Sequence, residues 1–415
     1  MSAELYIGAM SGTSLDGVDA VLARLHLGAL LPPSSAVRAQ AQGQAPGQST
    51  PMAVGPAGIQ GIEQLGHVQL EFPQALRQRI LALAQGQPVT LAELGAVDVL
   101  VAHLYARAVK TLLQQTGVDA TQVTAIGAHG QTVHHQPQPA APGEPTFTTQ
   151  IGDPNTLAVA TGITVVADFR RRDMALGGQG APLAPGFHEL VWRHPIRTRV
   201  VLNCGGIANI SVLKPGRPCI GFDTGPANIL MDAWIEACQG LRYDRDAAWA
   251  AQGQVHAALL QALLRDPYFA LPPPKSTGRE RFQLAWLQQA LAALPEPAPS
   301  DADVQRSLLE LSACTIAQAV QAQAQAQAEA QAQAEAGELL VCGGGAFNPL
   351  LMRRLAELLP VWQVQSTAAH GVPPDCVEAL AFAVFAQRTL HGQSANLPQV
   401  TGASRACLLG GVYRP

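Results

Sequence analysis

The apolar residues of this chain form short runs that end in polar turns and longer runs with helical spacing. Leucines and valines recur at helical spacing from Glu63 to Ala84 and from Leu91 to Thr116, which predicts two helices. The short apolar runs Ala125–Gly127 and Ile163–Ala167 predict buried strands, the first of which delivers His129. This mixture predicts an α/β protein, in which functional side chains are found at strand ends.

The first apolar strand runs into a turn rich in glycine, hydroxyl and carboxylate groups, between Gly8 and Asp19. Glycines let backbone N–H groups approach a phosphate closely, hydroxyls can bond its oxygens, and Asp16 or Asp19 could hold Mg²⁺. The turn is not a Walker A loop, because no Gly-Lys-Ser/Thr follows at the required spacing. Asp16-Gly17 is also a strong hairpin signal, so a plain hairpin competes with a phosphate loop here.

Two further glycine-rich turns follow apolar strands, within Val200–Asn209 and Leu339–Asn348. The later turn opens a predicted helix from Pro349 to Leu359, whose first N–H groups are suited to face a nucleotide. Three such turns favour one ligand gripped from two sides. None of them has the Gly-x-Gly-x-x-Gly spacing of a dinucleotide-binding fold.

Two low-complexity segments predict no chemistry. The stretch from Leu31 to Gly61 is rich in Pro, Ala, Gln, Ser and Gly, which indicates a mobile surface loop inserted between two strands. From Gln318 to Ala336, Gln and Ala alternate, and the segment extends a helix that starts near Asp303. A solvated helix is favoured over a coiled-coil partner site, because there is no leucine heptad.

Composition narrows the classes of function. The 415 residues, 48% of them hydrophobic, allow a sizeable core, and the length predicts about two or three domains. A formal net charge of −4 argues against a nucleic-acid binder, which normally carries a basic stripe. Seven cysteines without a Cys-x-x-Cys pair are typical of reduced thiols in a cytoplasmic protein. The N-terminal sequence predicts neither a signal peptide nor a membrane span.

A series of short motifs runs in order through nearly the whole chain and resembles the anhydro-N-acetylmuramic acid kinases, a family of the sugar kinase and actin-like ATPase superfamily. Any one motif is weak, whereas the ordered set is specific. The matching segments are Gly8–Asp19, Ala128–Thr132, Gln150–Pro154, Ala167–Asp173, Gly177–Leu183, Gly221–Asn228, Asp244–Asp246, Pro274–Glu280 and Cys342–Gly345.

The resemblance implies a two-domain α/β actin-like ATPase fold, with a ribonuclease-H-like core in each half and the active site in the interdomain cleft. The first domain is expected to contain residues 1–168 and about 388–415, and the second domain residues 169–387. Closure of such a cleft would exclude water other than the molecule that the reaction needs.

The resemblance also implies ATP-dependent phosphorylation of 1,6-anhydro-N-acetylmuramic acid with hydrolytic ring opening. The products are N-acetylmuramic acid 6-phosphate and ADP, and the roles are peptidoglycan recycling and amino-sugar catabolism. Because O6 is bridged to C1, it has no free hydroxyl, so a carboxylate base would activate water against C1 while O6 takes the γ-phosphoryl group. An inverting glycosidase needs a carboxylic acid to protonate the leaving oxygen, and here phosphorus replaces that proton.

Asp223 is the expected base, because the turn Thr224–Pro226 would hold its carboxylate in place. The alternative is an Asp that caps the helix after Ala227. Mg²⁺ is expected at Asp16 and Asp19. The expected ATP contacts come from the three glycine-rich turns: Gly12, Thr13, Ser14, Leu15, Asp16, Gly17, Val18, Asp19, Gly205, Gly206, Asn209, Gly343, Gly344 and Gly345.

The lactyl carboxylate of the muramic sugar needs a cation, and Arg170 or Arg172 is expected to supply a bidentate contact. Three consecutive arginines on an extended segment cannot all face one way, so the side chain of Arg171 is set aside. Asp168 is expected in the sugar-binding site beside these arginines, and Asp168 and Asp173 are expected to orient the arginines rather than to react.

Three further positions each carry two interpretations. His129 would hydrogen-bond the sugar or serve as a structural polar link. Glu378 would face the sugar or complement the dipole of its helix, which is predicted from Cys376 to Leu390. Lys275, in the loop before Arg279, would help to close over bound ligands or lie in a solvated loop.

Two other functions remain open on sequence alone. One is an actin-like or chaperone-like ATPase without a small substrate, and the other is a kinase for an amino sugar with a free hydroxyl. The expected partners are the sugar and ATP, without nucleic acid or membrane, and a homodimer is compatible with the sequence.

Overall fold

A computed structural model of the chain describes residues 3–12, 15–26, 61–278, 280–328 and 337–415, with the side chains of 324–328 left out. The chain divides into two compact units. Unit 1 contains Met1–Val191, Ala369–Val372 and Cys376–Pro415, and unit 2 contains Trp192–Ala368 and Pro373–Asp375. Most of the predicted loop from Leu31 to Gly61, and the end of the Gln-Ala segment, lie outside the described residues.

The elements alternate between strands and helices along the chain. The strands are β1 Ala3–Met10, β2 Gly17–His26, β3 Ile62–Glu71, β4 Val123–Ala128, β5 Gln131–Gln136, β6 Phe147–Ile151, β7 Val165–Ala167, β8 Arg199–Cys204, β9 Ile207–Leu213, β10 Ile220–Pro226, β11 Gly337–Cys342, β12 Trp362–Ser366 and β13 Gly411–Tyr413. The helices are α1 Gln74–Ala84, α2 Leu91–Thr116, α3 Pro154–Thr161, α4 Arg171–Ala175, α5 Ala184–Trp192, α6 Asn228–Gln239, α7 Ala257–Leu264, α8 Pro267–Ala270, α9 Leu284–Ala292, α10 Asp301–Ala328, α11 Pro349–Leu358, α12 Val377–Leu390 and α13 Pro398–Thr401.

The two units repeat one sheet topology. In unit 1 the order is β3-β2-β1-β4-β7, with β13 added beside β7, and in unit 2 it is β10-β9-β8-β11-β12. In each sheet the first three strands form an antiparallel meander and the next two run parallel to its first strand. This is the ribonuclease-H-like order, so the expectation of a two-domain α/β protein with such a core in each half is confirmed.

Two expectations about segment boundaries differ from the structure. Helical spacing was expected from Glu63, yet Ile62–Glu71 is the third strand of the meander, because pairing with β2 supplies its backbone partners and overrides the local pattern. The unit boundary falls after Val191 rather than residue 168, because Asp173 binds the side chains of Asn396 and Thr401, at 2.7 Å each, within unit 1.

The returning segment also differs from the expected start near residue 388. Unit 1 takes in Ala369–Val372 and then Cys376–Pro415, and so contains the whole of α12. This helix packs directly on the two central strands of the unit 1 sheet. A Cβ atom at Gly8 would lie 1.8 Å from the carbonyl oxygen of Ala379, and one at Gly127 would lie 2.0 Å from that of Phe382. Both glycines are therefore required for the helix to approach the sheet.

Other sequence predictions agree with the structure. The helix expected at Leu91–Thr116 has those bounds, with Thr90 as its N-cap and Gly117 in the left-handed conformation at its end. All seven cysteines are free thiols. Among the described residues, no helix is both long and apolar enough to cross a membrane.

The contact between α12 and the sheet predicts opposite effects for two Gly→Ala changes. Gly127→Ala forces a methyl group against a backbone carbonyl that cannot rotate away, so we expect a loss of at least about 3 kcal/mol in the free energy of unfolding. Gly95→Ala, at an exposed position near the start of α2 with no atom within 4 Å of the new Cβ, should gain up to about 1 kcal/mol. Denaturant titration followed by circular dichroism measures both, and equal effects would contradict the packing constraint.

Candidate active site

Asp223 lies in β10, the edge strand of the unit 2 sheet, directly opposite Asn209 of β9. The register of the two strands shifts between Asp223 and Gly225, so the strand is locally irregular beside the carboxylate. The position is interior to a strand. Asp223 therefore does not cap the following helix, because α6 begins at Asn228 and its N-cap is Ala227.

Three hydrogen bonds fix Asp223 to one segment of unit 2. Its backbone N–H donates to the carbonyl oxygen of Lys275 at 3.0 Å, and its own carbonyl oxygen accepts the hydroxyl of Tyr268 at 2.7 Å. The backbone N–H of Thr277 donates to its carboxylate Oδ2 at 2.9 Å. Two of these bonds hold the backbone of Asp223 and one holds its carboxylate, so the carboxylate is preorganised.

The environment raises the proton affinity of this carboxyl group. Burial raises the pKa of Asp223 from 3.8 to about 6; the Thr277 N–H opposes the rise and the nearby charge of Glu280 adds to it. A carboxylate with such a pKa is ionised at neutral pH and is a stronger base than an exposed aspartate. This combination suits general base catalysis.

Two of the predicted glycine turns meet in unit 2. Strands β8 and β11 are parallel neighbours with Asn203 opposite Cys342, so the turns that follow them are adjacent. A Cβ at Gly343 would lie 2.6 Å from the Oδ1 atom of Asn203, and one at Gly345 would lie 2.2 Å from the Cys204 sulfur. These two positions accept no side chain, and Gly343 also has a φ of 77°.

The turn at Gly205 and Gly206 is tied to the start of α6 through its carbonyl oxygens. Asn228 N–H donates to Gly205 at 3.0 Å, and Ala227 and Ile229 N–H groups donate to Gly206 at 2.9 and 3.1 Å. Within the described part of the chain, the N–H groups of these two glycines donate no hydrogen bond themselves. Adjacent N–H groups of this kind suit an anion such as a phosphate.

The helix expected after the third turn is α11. Its N-cap is Asn348, whose side chain accepts the N–H of Leu351 at 2.9 Å. One of the first N–H groups expected to face a nucleotide is therefore used by the helix's own cap. Two of the three glycines, Gly344 and Gly345, lie in a 3₁₀ turn, Gly344–Phe347, that precedes the helix.

The first predicted phosphate turn lies in unit 1, between β1 and β2. Thr13 and Ser14 lie outside the described residues. Leu15, with a φ of 58°, and Val18 bury their side chains in the core, so neither side chain is available to a nucleotide. Ser11 shares a hydrogen bond of 2.8 Å with the hydroxyl of the buried Tyr105, which anchors the base of the turn.

Asp19 is hydrogen-bonded to a histidine that no sequence motif indicates. Its Oδ1 atom lies 3.1 Å from Nε2 of His67, and this hydrogen bond, with a further one that His67 donates to Cys376, raises the pKa of His67 to about 10. A cation at Asp19 would compete with this charged imidazole, while Asp16 is exposed in the turn before β2. The pair Asp16 and Asp19 therefore does not fit a magnesium site as the residues stand.

His129 and Arg170 are joined in unit 1. Nδ1 of His129 faces the carbonyl oxygen of Gly130 at 2.8 Å, and its Nε2 accepts the Nε–H of Arg170 at 3.0 Å. The first contact requires a proton on Nδ1 and the second a lone pair on Nε2, so the ring is neutral. Burial, followed by the charge of Arg170, lowers the pKa of His129 to about 3, in agreement with this tautomer.

The arginines lie at a helix start rather than on an extended segment, which corrects the sequence expectation. Arg170 is the N-cap residue of α4, and Arg171 and Arg172 are its first helical residues. Arg170 points inward, where it also donates to the carbonyl oxygen of Gly180 at 2.8 Å, while Arg172 is exposed. Helical turning, not strand alternation, separates their side chains.

The acidic residues around Arg170 hold several elements in place. Burial lowers the pKa of Arg170 to about 10, and the charges of Glu378 and Asp173 oppose that fall. Asp168, with a φ of 62°, accepts the hydroxyl of Tyr413 at 2.8 Å and pairs with Arg171 at 3.3 Å. Glu378 lies exposed in the first turn of α12, where its charge also complements the helix dipole.

The comparisons with known proteins agree with these motifs. Residues 52–415 match the family model described as anhydro-N-acetylmuramic acid kinase. A Vibrio cholerae protein of that name is 49% identical over 412 residues, covering 99% of both chains. A Vibrio vulnificus protein of the same name is 48% identical over 410 residues, covering 99% of this chain and 98% of the relative. This chain belongs to the anhydro-N-acetylmuramic acid kinase family.

As a member of the anhydro-N-acetylmuramic acid kinase family, the protein is an enzyme of the kinase class. Distant solved structures include an activator of 2-hydroxyisocaproyl-CoA dehydratase from Clostridium difficile with bound ADPNP, at 10% identity and a TM-score of 0.41, covering 92% of this chain and 94% of that one. A ROK hexokinase from Thermus thermophilus has 14% identity and a TM-score of 0.33, covering 92% and 99%.

Nothing in the sequence indicates Tyr268 as a partner of Asp223, and Lys275 has two interpretations on sequence alone. The structure brings both to Asp223, together with Thr277. The Pro274–Glu280 motif does indicate this location for Lys275 and Thr277, because a loop that matches a family motif is expected to lie near the active site. Tyr268 carried no such signal, since an isolated tyrosine in sequence does not reveal a long-range hydroxyl bond.

The raised pKa of Asp223 predicts that its ionised carboxylate lowers the free energy of unfolding. Its folded-state pKa lies above the unfolded value, so the stability that its protonation gives is present below pH 3.8 and is lost as the pH rises through about 6. Asp223→Asn should therefore raise the free energy of unfolding at pH 8 by about 1–3 kcal/mol, and the gain should vanish below about pH 4.

The matched control is Asp303→Asn, also in unit 2. Backbone N–H donation from Gln254 lowers the pKa of Asp303, which is the opposite direction, so this variant should lose stability at pH 8. Urea titrations at pH 4 and pH 8 give all values. A stability loss for Asp223→Asn at pH 8 would show that burial does not disfavour its charge.

Proposed function

We propose that this enzyme phosphorylates 1,6-anhydro-N-acetylmuramic acid with ATP and opens the anhydro bridge in the same reaction. The products are N-acetylmuramic acid 6-phosphate and ADP, which serve peptidoglycan recycling and amino-sugar catabolism. Family membership supports the substrate. The observation that carries the mechanism is Asp223, a preorganised carboxylate whose pKa is raised to about 6.

Asp223 is the general base in this proposal. Its Oδ2 atom is held by the Thr277 N–H, and among the described residues nothing donates a hydrogen bond to Oδ1. Oδ1 takes a proton from water as the water oxygen bonds to C1. The C1–O6 bond breaks, O6 bonds to the γ-phosphorus, and ADP leaves with the electrons of the broken P–O bond. The proton on Asp223 then passes to solvent.

The ATP phosphates would be bound by backbone N–H groups of the glycine turns. Gly205 and Gly206 of unit 2 are the best supported. Their carbonyl oxygens accept hydrogen bonds, whereas their N–H groups donate none to any described residue. Asn209, opposite Asp223 in the sheet, would contact the nucleotide beside the base. The Asp16 and Asp19 pair does not fit a magnesium site as the residues stand.

The sugar would bind to the group around Arg170 in unit 1. The Nε and Nη1 atoms of Arg170 are oriented by His129 and Gly180, so the guanidinium is held in one plane before a ligand arrives. This fixed fork suits the lactyl carboxylate better than exposed Arg172 does. Asp168 and Glu378 would line the same region, with Glu378 balancing the charge of Arg170.

The base role predicts the outcome for Asp223→Asn. The amide keeps the shape and can accept the Thr277 N–H, but it cannot take the proton of water, so turnover should fall at least about 100-fold while ATP and sugar still bind. In ¹⁸O-labelled water the wild-type product should carry label at C1 and none in its phosphate. Mass spectrometry of the intact and dephosphorylated product locates the label.

Spontaneous exchange at C1 is corrected by incubating unlabelled product in the same water without enzyme. Activity near the wild-type value in Asp223→Asn, or label in the phosphate, would contradict the proposed reaction. ADP formation without sugar at the full rate would instead favour an ATPase without a small substrate.

The role of Arg170 predicts a selective loss of sugar binding. Arg170→Ala should weaken sugar binding by about 2–3 kcal/mol, the scale of a charge-assisted bidentate contact, with little change for ATP. Arg172→Ala is the matched control and should change sugar affinity by less than about 0.5 kcal/mol. Isothermal titration calorimetry gives both affinities. Equal losses in the two variants, or equal losses for sugar and ATP, would assign the carboxylate contact elsewhere.

A further inference from the structure

The edge of the unit 2 sheet at Asp223 is covered by chain that is not a strand. Because β10 is an edge strand, only β9 pairs with it. Both backbone groups of Asp223 bond away from β9, to the Lys275 carbonyl oxygen and the Tyr268 hydroxyl. The segment from Tyr268 to Thr277 therefore replaces a neighbouring strand at this one residue.

Tyr268 and Lys275 are also bound to each other. The Lys275 ammonium donates to the carbonyl oxygens of Tyr268 and Phe269, at 3.0 and 3.1 Å, and lies 4.6 Å from the centre of the Tyr268 ring. With the two bonds to Asp223, these contacts form a closed circuit of three residues. No member of the circuit can move alone without breaking a hydrogen bond.

The circuit rests on a rigid base. Tyr268 is 2% exposed and packs edge-on against Phe282, and Asp266 accepts the backbone N–H of Tyr268 at 2.9 Å. Phe269 fills the space beside Gly225, where a Cβ would lie 2.7 Å from its ring. The segment is thus fixed to the core on one side and to the irregular part of β10 on the other.

Thr277 contributes its backbone rather than its side chain. Its N–H donates to Oδ2 of Asp223, whereas its hydroxyl is buried and has no hydrogen-bond partner among the described residues. The N–H selects one carboxylate oxygen and leaves Oδ1 for the reactants. A hydroxyl that bonds to nothing can be removed without touching the N–H, which makes a clean control possible.

We propose that Tyr268, Lys275 and the backbone N–H of Thr277 are positioning groups for the base of the reaction, holding Asp223 at the edge of its sheet with Oδ2 fixed and Oδ1 turned to the attacking water. The inference rests on the proposed function of Asp223. Tyr268 and Lys275 set the backbone, and Thr277 sets the carboxylate plane and its proton affinity.

The first test compares Thr277→Pro with Thr277→Ala. Proline removes the N–H, so Asp223 loses the one hydrogen bond that lowers its pKa, and the acid limb of the pH profile of kcat/KM should move above about 6. Alanine keeps the N–H and should leave the limb unchanged. The charged groups near this site, Glu280, Lys275 and Arg281, are present in both variants.

Carbon-13 NMR of labelled aspartate carboxyls measures the same titration without turnover, with the Asp223 signal assigned by its absence in Asp223→Asn. This readout separates the two proposals. An active Asp223→Asn would end the proposed base role whatever the titration gives. An unshifted Asp223 titration in folded Thr277→Pro would end the positioning role whatever the activity.

The second test does not depend on proline. Tyr268→Phe and Lys275→Met should each lower kcat about 10- to 100-fold, the effect of a misplaced catalytic group, while KM values for ATP and sugar stay within about threefold. Tyr243→Phe and Lys110→Met, on the exposed surface, are matched controls. Wild-type kcat in both test variants, or a fall in kcat shared by the controls, would overturn the proposal.

Discussion

The helix α12 packs closely on the unit 1 sheet because two side chains are absent from the sheet. Carbonyl oxygens of α12 occupy the places where Cβ atoms of Gly8 and Gly127 would be, so the helix lies directly on β1 and β4. This approach brings Phe382 to within 4.7 Å of the His129 ring, between ring centres. His129 in turn orients Arg170. The geometry of the proposed sugar-binding residues His129 and Arg170 therefore depends on this short distance between helix and sheet. Any residue larger than glycine at positions 8 and 127 would prevent it.

The duplicated topology explains why candidate binding residues recur in corresponding places of the two units. In each unit, one glycine-rich turn follows the first strand of the meander, at Gly12 and at Gly205. Another polar turn follows the strand that runs parallel to it, at His129 and at Gly343. Parallel neighbours end at the same edge of a sheet, so each unit gathers its polar turns at one edge. Repetition of one arrangement thus supplies two candidate binding surfaces.

The pKa of one buried group is lowered in unit 1, and the pKa of another is raised in unit 2. In unit 1, burial and Arg170 keep His129 neutral, which makes it an acceptor that orients a cation. In unit 2, burial raises the pKa of Asp223 to about 6 while one N–H limits the rise. A fully buried carboxyl would be protonated at neutral pH, and a fully exposed one would be a weak base. The compromise between desolvation and hydrogen bonding gives a group that is both ionised and basic.

Local pattern by itself determined the strands that end in glycine turns, the helix Leu91–Thr116 and the family resemblance that singled out Asp223, because periodicity and motif spacing are properties of neighbouring residues. Tertiary structure decided the rest. Ile62–Glu71 became a strand through pairing with β2, Asp19 was drawn to His67, and Arg170 was turned inward from its exposed neighbours. Tyr268 and Thr277 reach Asp223 across 45 and 54 residues of chain. Contacts over such separations depend on how the whole sheet is assembled, and no local pattern encodes them.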